Sequence, residues 1–502
     1  MAISLITSLL FSLPQQWQPV VLTGLLPVIV SLLLLARKGR LKMPPGPEQV
    51  PLLGNLHQLA GPQPHRALRD LARVHGPVMR LRLGKASAVV LTSAEAAWEA
   101  LRGHDLDCCT RPVSAGTRRV TYGMKNVAFA PYGAYWREVR KLLMVELLSA
   151  RRVKAAWYAR HEQVEKLLST LRRAEGKPVA LDEHILSLSD GIIGTVAFGN
   201  IYGSDKFSQN KNFQHALDDV MEMLSGEGSS AEDLQLPNAV GRLVDRLTGF
   251  AARRERIFRQ LDSFFEMVIE QHLDPNRAPP ENGGDLVDVL IGHWKKKEPR
   301  GTFSFTKDNV KAIIFLARKP RVLKKVQAEI RAAVSVNGRV QPDDITKLSY
   351  LRKVVKETLR LHPPTPLLLP RETMRHIQIS GYDVPAKTRI YVNAWAIGRD
   401  PASWPDEPEE FNPERFEANE IDFKGEHPEL MPFGTGRRIC PGMAMAMANV
   451  EFTLANLLFA FQWSLPEGTT PDNVCMEEEG RLVCHRKTPL VLVPTVYRHG
   501  LE

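Results

Sequence analysis

The run Pro432-Phe433-Gly434-Thr435-Gly436-Arg437-Arg438-Ile439-Cys440-Pro441-Gly442 decides how this chain is read. Glycines at 434 and 436 permit a tight loop with positive φ. Cys440 stands just before Pro441, and proline is favoured as the first residue of a helix. The sulfur is therefore expected beside the unpaired backbone N–H groups of a helix N-terminus. Arg438 adds positive charge, and both effects favour the thiolate. A thiolate presented on such a loop suits a haem iron as its axial ligand, where it pushes electron density that favours O–O cleavage. An isolated Cys or Gly-x-Gly would read instead as a structural loop around a buried thiol. The full spacing Phe-x-x-Gly-x-Arg-x-Cys-x-Gly is far more restrictive.

Upstream, Glu357-Thr358-Leu359-Arg360 places an acid and a base at i and i+3, on one face of a helix. By itself that pair means little. It is followed by Leu361-His362-Pro363-Pro364 and then by Phe411-Asn412-Pro413-Glu414-Arg415-Phe416, in that order. Trp136-Arg137-Glu138-Val139-Arg140 sets Trp136 and Arg140 one helical turn apart, on one face. On these motifs the sequence resembles the cytochrome P450 family. The resemblance implies haem b held by Cys440, with Phe433 and Gly442 completing the ligand loop. It also implies haem propionates met by Trp136, Arg140, Arg371 and Arg438; an arginine fork suits a carboxylate because it binds bidentately. Glu357, Arg360 and Arg415 match a buried charged triad that locks the scaffold, a structural role because buried charges persist only when paired.

The resemblance covers essentially the whole chain. His104–Cys109, Asp190–Tyr202, Asn282–Ile291 and Asn393–Pro401 are similar to stretches of plant members that take an aromatic aldoxime through a nitrile to a hydroxynitrile. It implies a monooxygenase fed by NADPH–cytochrome P450 reductase and acting on a small aromatic substrate. The apolar Leu367-Leu368-Leu369 run would lie beside the haem. Substrate choice rests on few pocket residues.

Composition agrees without deciding function. The 502 residues are 44% hydrophobic and 24% charged, enough for a large core, and no repeat or linker divides them. Early strand-like runs (Val78–Leu83, Ala88–Leu91) give way to helical periodicity from Ala94 to Ala333. Strands and turns follow His362, as in Ile377–Tyr382 and Arg389–Val392, before a last helix from about Met443 to Phe461. The expected class is mainly α with small β-sheets. Five cysteines, an odd and sparse set, argue against a disulfide framework. Cys108, Cys109, Cys475 and Cys484 fit no usual zinc spacing. The net charge of +10 comes from scattered residues with no interleaved aromatics, which excludes a nucleic-acid partner and suits an anionic membrane face.

No charged residue occurs from Met1 to Ala36, and Arg37, Lys38, Arg40 and Lys42 follow at once. A span needs about 20 apolar residues, so residues 1–42 read as a single N-terminal transmembrane helix with a basic stop. A cleaved signal would carry its charge before the apolar run and a small-residue cleavage site after it; neither is present. Pro44-Pro45-Gly46-Pro47 is a stiff link to a haem-thiolate domain over 43–502. The expected location is the endoplasmic reticulum membrane, with the globule on the cytosolic side.

One departure stands out. The family's distal helix carries a small-residue kink, then an acid or amide and a threonine that relay protons to oxygen. Here Lys311-Ala312-Ile313-Ile314-Phe315 runs directly into Leu316-Ala317-Arg318-Lys319-Pro320. Roughly twenty residues are missing at Phe315–Leu316, about 30 Å of helix, and no catalytic residue for oxygen activation is retained. Thr306 reads as an N-cap, not as the relay. The alternative outcome is a catalytically inactive haem-binding or misfolded membrane protein. The charge bias around residues 37–42 predicts that protease added to intact microsomes digests the globule; a protected globule would reverse the orientation.

Overall fold

Pro64, Leu68 and Ala72 recur at every fourth position, and this spacing buries one face of helix α1 (Pro64–His75). The structure, a computed structural model, describes residues 41–59, 61–199, 219–220, 223–224, 238–277, 284–285, 287–288, 291, 319–334, 339–480 and 482–498. Residues 1–40 of the proposed 1–42 anchor, the Phe315–Leu316 junction and Thr306 lie outside the described residues.

After α1 come strands β1 (Val78–Leu83) and β2 (Ala86–Leu91), an antiparallel hairpin in the register Val78 to Leu91. Helices follow: α2 (Asp105–Cys108), α3 (Ala134–Leu142) and α4 (Trp157–Arg173). Then come β3 (Val179–Ala180), α5 (Leu181–Phe198), α6 (Phe250–Leu273), α7 (Pro320–Ala333) and α8 (Ser349–Leu361). The strand-rich part holds β4 (Arg371–Glu372), β5 (Ile377–Ile379), β6 (Tyr382–Val384) and β7 (Arg389–Val392). The chain closes with α9 (Met443–Ala460), β8 (Phe461–Ser464), β9 (Glu478–Glu479), β10 (His485–Arg486) and β11 (Val491–Val496).

The main sheet has the order β1-β2-β7-β4. Parallel pairing of β2 with β7 (Ala88 opposite Arg389, Leu91 opposite Val392) joins the start of the globule to the segment after α8. That pairing brings Arg371 on β4 toward the early part of the chain. The largest apolar core lies among the helices, where Leu167 and Leu171 of α4, Ile185 of α5, Val326 of α7, Val354 of α8 and Leu454 of α9 are all buried. Helix α9 is long and apolar enough to cross a membrane, but most of it is buried inside the protein, so it is a core helix. Its apolar residues surround it on all sides, as a fully enclosed helix requires.

A buried ion cluster ties α8 to the loop after β7. Arg360 Nε and Nη2 donate to both oxygens of Glu357, at 2.7 and 2.8 Å. Arg415 Nε reaches Glu357 Oε1 at 3.0 Å, and the Asn412 N–H donates to the same oxygen. The remaining donors of Arg360 meet the carbonyls of Gly398, Pro408 and Glu410. Glu357 and Arg360 have no solvent exposure, so one carboxylate faces two guanidiniums in a dry site. Glu357→Ala would leave both cations unmatched. It is expected to destabilise the chain by about 3–5 kcal/mol in denaturant unfolding; a loss near zero would show that the cluster is not a lock.

Candidate active site

The Cys440 loop is built by short-range geometry. Gly434 and Gly436 both have φ of +70°, the left-handed conformation their positions demand. Thr435, fully buried, donates its hydroxyl to the Gly425 carbonyl at 2.6 Å. A 3-10 turn spans Gly436–Arg438, and the Cys440 N–H closes the loop on the Phe433 carbonyl at 2.9 Å. The Phe433 ring packs edge-on against Phe423, with centroids 5.7 Å apart.

One expectation is corrected. Pro441 does not begin a helix: α9 starts at Met443, with Gly442 as its N-cap and a first bond from Ala446 N–H to the Gly442 carbonyl. The preference for proline at a first helical position yields to the loop closure at Cys440, which holds the backbone extended at Ile439. Cys440 therefore precedes the first turn of the helix rather than standing at its end. It is half-buried and lies in electrostatic reach of Arg140.

Around this loop the structure gathers arginines. Trp136 and Arg140 share a face of α3, with the guanidinium carbon 5.5 Å from the indole centroid. Trp136 Nε1 donates to the Val127 carbonyl at 3.0 Å, and Arg140 Nη2 to the Ile439 carbonyl at 2.7 Å. The Arg438 guanidinium lies 4.2 Å from the Trp136 centroid and donates to the carbonyls of Cys109 and Ala130. Arg371 donates to Asp105 Oδ1 at 2.8 Å and to the Thr435 carbonyl at 2.6 Å. Sequence reasoning missed a fourth member, Arg111. It is buried and spends its donors on the carbonyls of Ala128, Leu369 and Pro370. Its only local signal is the Arg-Pro dipeptide, which is too common to single out.

These cations are uncomfortable together. Burial first, and then Arg371 and Arg140, hold Arg438 down at about 9, against opposing contributions from Cys109 and Asp105. Arg111 is held well below the usual guanidinium range by burial and then by Arg438, Arg371 and Arg140. Their partners are mostly neutral carbonyls. A site with this excess of buried positive charge suits an anionic group.

The other cysteines are structural. Cys108 and Cys109 are buried, burial pushes the Cys108 thiol up to about 12, and its sulfur donates to the Ala100 carbonyl. Cys484 is buried and Cys475 half-buried. Elsewhere, His272, Asp285 and Asp288 have ligand atoms within 4.8 Å of one another. Arg277 already pairs with both aspartates there, so a guanidinium supplies the charge that a metal ion would.

The family model for cytochrome P450 matches residues 44–315 and 310–493. The chain belongs to the cytochrome P450 family. It is 56% identical over 522 aligned residues, covering 97% of both chains, to the 4-hydroxyphenylacetaldehyde oxime monooxygenase of Sorghum bicolor. It is 44% identical to the 2-methylbutanal oxime monooxygenase of Manihot esculenta, over 98% of this chain and 99% of that one. A zebra fish cytochrome P450 structure with abiraterone superposes with a TM-score of 0.70 at 22% identity, over 88% of this chain and 100% of that one. That likeness shows the same fold.

Members of this P450 family are monooxygenase oxidoreductases with haem as cofactor and a reductase as electron source. The residues here fit haem: a thiol on a glycine loop lies beside a group of buried guanidiniums short of carboxylates, and haem brings one iron and two propionates. If Arg111 completes that group, Arg111→Leu should speed haem loss to an excess of apo-globin by about 10-fold or more, the worth of a charge-assisted hydrogen bond. Unchanged loss would confine Arg111 to holding the Leu369–Pro370 backbone.

Proposed function

We propose that this protein is a membrane-anchored haem-thiolate monooxygenase that converts a small aromatic aldoxime to a hydroxynitrile. The observation that carries the reading is the Cys440 loop set against the Arg111, Arg140, Arg371 and Arg438 cluster. The similarity to two oxime monooxygenases, at 56% and 44% identity, supports the substrate class. The domain plan is an anchor over 1–42 in the endoplasmic reticulum membrane and a cytosolic haem domain over 43–502, reduced by NADPH–cytochrome P450 reductase.

In this reading Cys440 would hold the haem iron through its thiolate, and Arg140, Arg371, Arg438 and Trp136 would hold the propionates. Haem, when bound, supplies dioxygen activation. The chain's own residues orient the cofactor, exclude water from its rim through the buried Trp136 stack, and keep the ligand loop rigid through Thr435 and Gly442. Cys440→Ala should abolish the thiolate-type carbon monoxide difference spectrum, and a retained spectrum would remove the assignment. Titrating an aromatic aldoxime into the haem-loaded chain should shift the Soret band. Binding of fatty acids or terpenes with no response to oximes would refute the substrate class.

We also propose that oxygen activation is slowed in this chain by the short distal region at Phe315–Leu316. Two observations support this. The family match falls into two stretches that meet at 310–315, and the alignment with the Sorghum relative spans 522 positions against 502 residues here. Positioned proton donors contribute about 10²–10⁴-fold. A version with a family-type distal helix inserted after Phe315, reconstituted with reductase and NADPH, should exceed the 502-residue chain by at least the lower figure. Equal rates would show the segment to be dispensable. The relatives are enzymes, and they lend no support to a non-catalytic product.

A further inference from the structure

The cluster of arginines includes one carboxylate that the family motifs do not mark. Asp105 opens α2, on the segment just after Leu101, and only 14% of its side chain is exposed. Its two oxygens are divided between two tasks. Oδ1 accepts from Arg371 Nη1 at 2.8 Å. Oδ2 accepts from the backbone N–H of Arg437 at 3.0 Å, with Arg437 Nε at 3.4 Å. Arg437 lies inside the 3-10 turn Gly436–Arg438, the turn that leads to Cys440. The fit is close: a Cβ at Gly436 would stand 2.5 Å from the Leu101 carbonyl oxygen and 2.8 Å from Asp105 Oδ1. The glycine at 436 is thus required by the approach of this segment as well as by its own positive φ.

We propose that Asp105 is a positioning residue for the haem-ligand loop, capping the turn before Cys440 with one oxygen and fixing the Arg371 guanidinium with the other. It rests on the haem reading for the second task but not for the first. The cap satisfies a backbone donor that the 3-10 turn leaves unpaired. The ion pair has a further consequence, because Asp105 sets its negative charge against Arg371 and, at longer range, Arg438. Removing that charge leaves the cluster more positive beside a reducible centre, and a more positive surround favours the reduced form.

The two tasks separate by substitution. Asp105→Asn keeps an oxygen for the Arg437 N–H but loses the charge; Asp105→Ala loses both. In the haem-free full chain, amide hydrogen exchange over residues 434–440 should be about tenfold faster in Asp105→Ala, the worth of one capping bond. It should stay near the parent rate in Asp105→Asn. In the haem-loaded chain, both variants should raise the reduction potential. A purely structural residue would leave the potential of the well-folded Asn variant unmoved. Arg437→Pro removes the backbone donor from the other side, and it should speed loop exchange as Asp105→Ala does. Parent-like exchange in Asp105→Ala and Arg437→Pro overturns the capping task. A parent-like potential in Asp105→Asn overturns the electrostatic one.

Discussion

Buried positive charge is the constraint on which the rest of this structure depends. Arg111, Arg371 and Arg438 are withdrawn from water, Arg140 is largely so, and all of them face one another beside the Cys440 loop. Such a grouping is unfavourable unless each cation finds acceptors and the group finds an anion. Backbone carbonyls from four separate parts of the chain supply the acceptors: Val127 to Ala130, Cys109, Leu369 to Pro370, and Thr435 with Ile439. The loops before α3, after α8 and before α9 are therefore held in mutual register by the same guanidiniums.

The scaffold behind this cluster is solved differently. In the Glu357 cluster one carboxylate bonds both Arg360 and Arg415, and the spare donors of Arg360 end on the carbonyls of Gly398, Pro408 and Glu410. Both clusters bury arginine, but there each cation bonds a carboxylate, whereas beside Cys440 the hydrogen bonds of Arg111, Arg140 and Arg438 end on carbonyls. That contrast distinguishes a lock from a binding site more sharply than burial does, since Arg360 is as deeply enclosed as any of the arginines beside Cys440.

What could be read in the sequence was what is local. The glycines at 434 and 436, the order of the motifs and the strand-like runs Val78–Leu83 and Ala88–Leu91 depend on near neighbours; the structure builds both strands, the second beginning two residues earlier at Ala86. Trp136 and Arg140 share a face because 3.6 residues make a turn. Arg111 and Asp105 were illegible for the opposite reason. Asp105 and Arg371 are separated by 266 positions, and only the β2–β7 pairing and the packing of α2 bring such residues together. The last helix starts at Met443 as its apolar run suggests, but Pro441 stands outside it, because a proline's preference is a small bias and closure of the Phe433–Cys440 loop outweighs it.

The central claim is that the buried arginines are there for two carboxylates. The most direct measurement titrates the haem-free chain with haem and, separately, with haem whose two propionates are esterified, following the thiolate-type carbonyl spectrum. The account predicts tight uptake of the free acid and at least about 100-fold weaker uptake of the diester, the worth of two charge-assisted hydrogen bonds. Equal affinity for the two would contradict it, and would leave the arginine cluster as a device for holding loops alone.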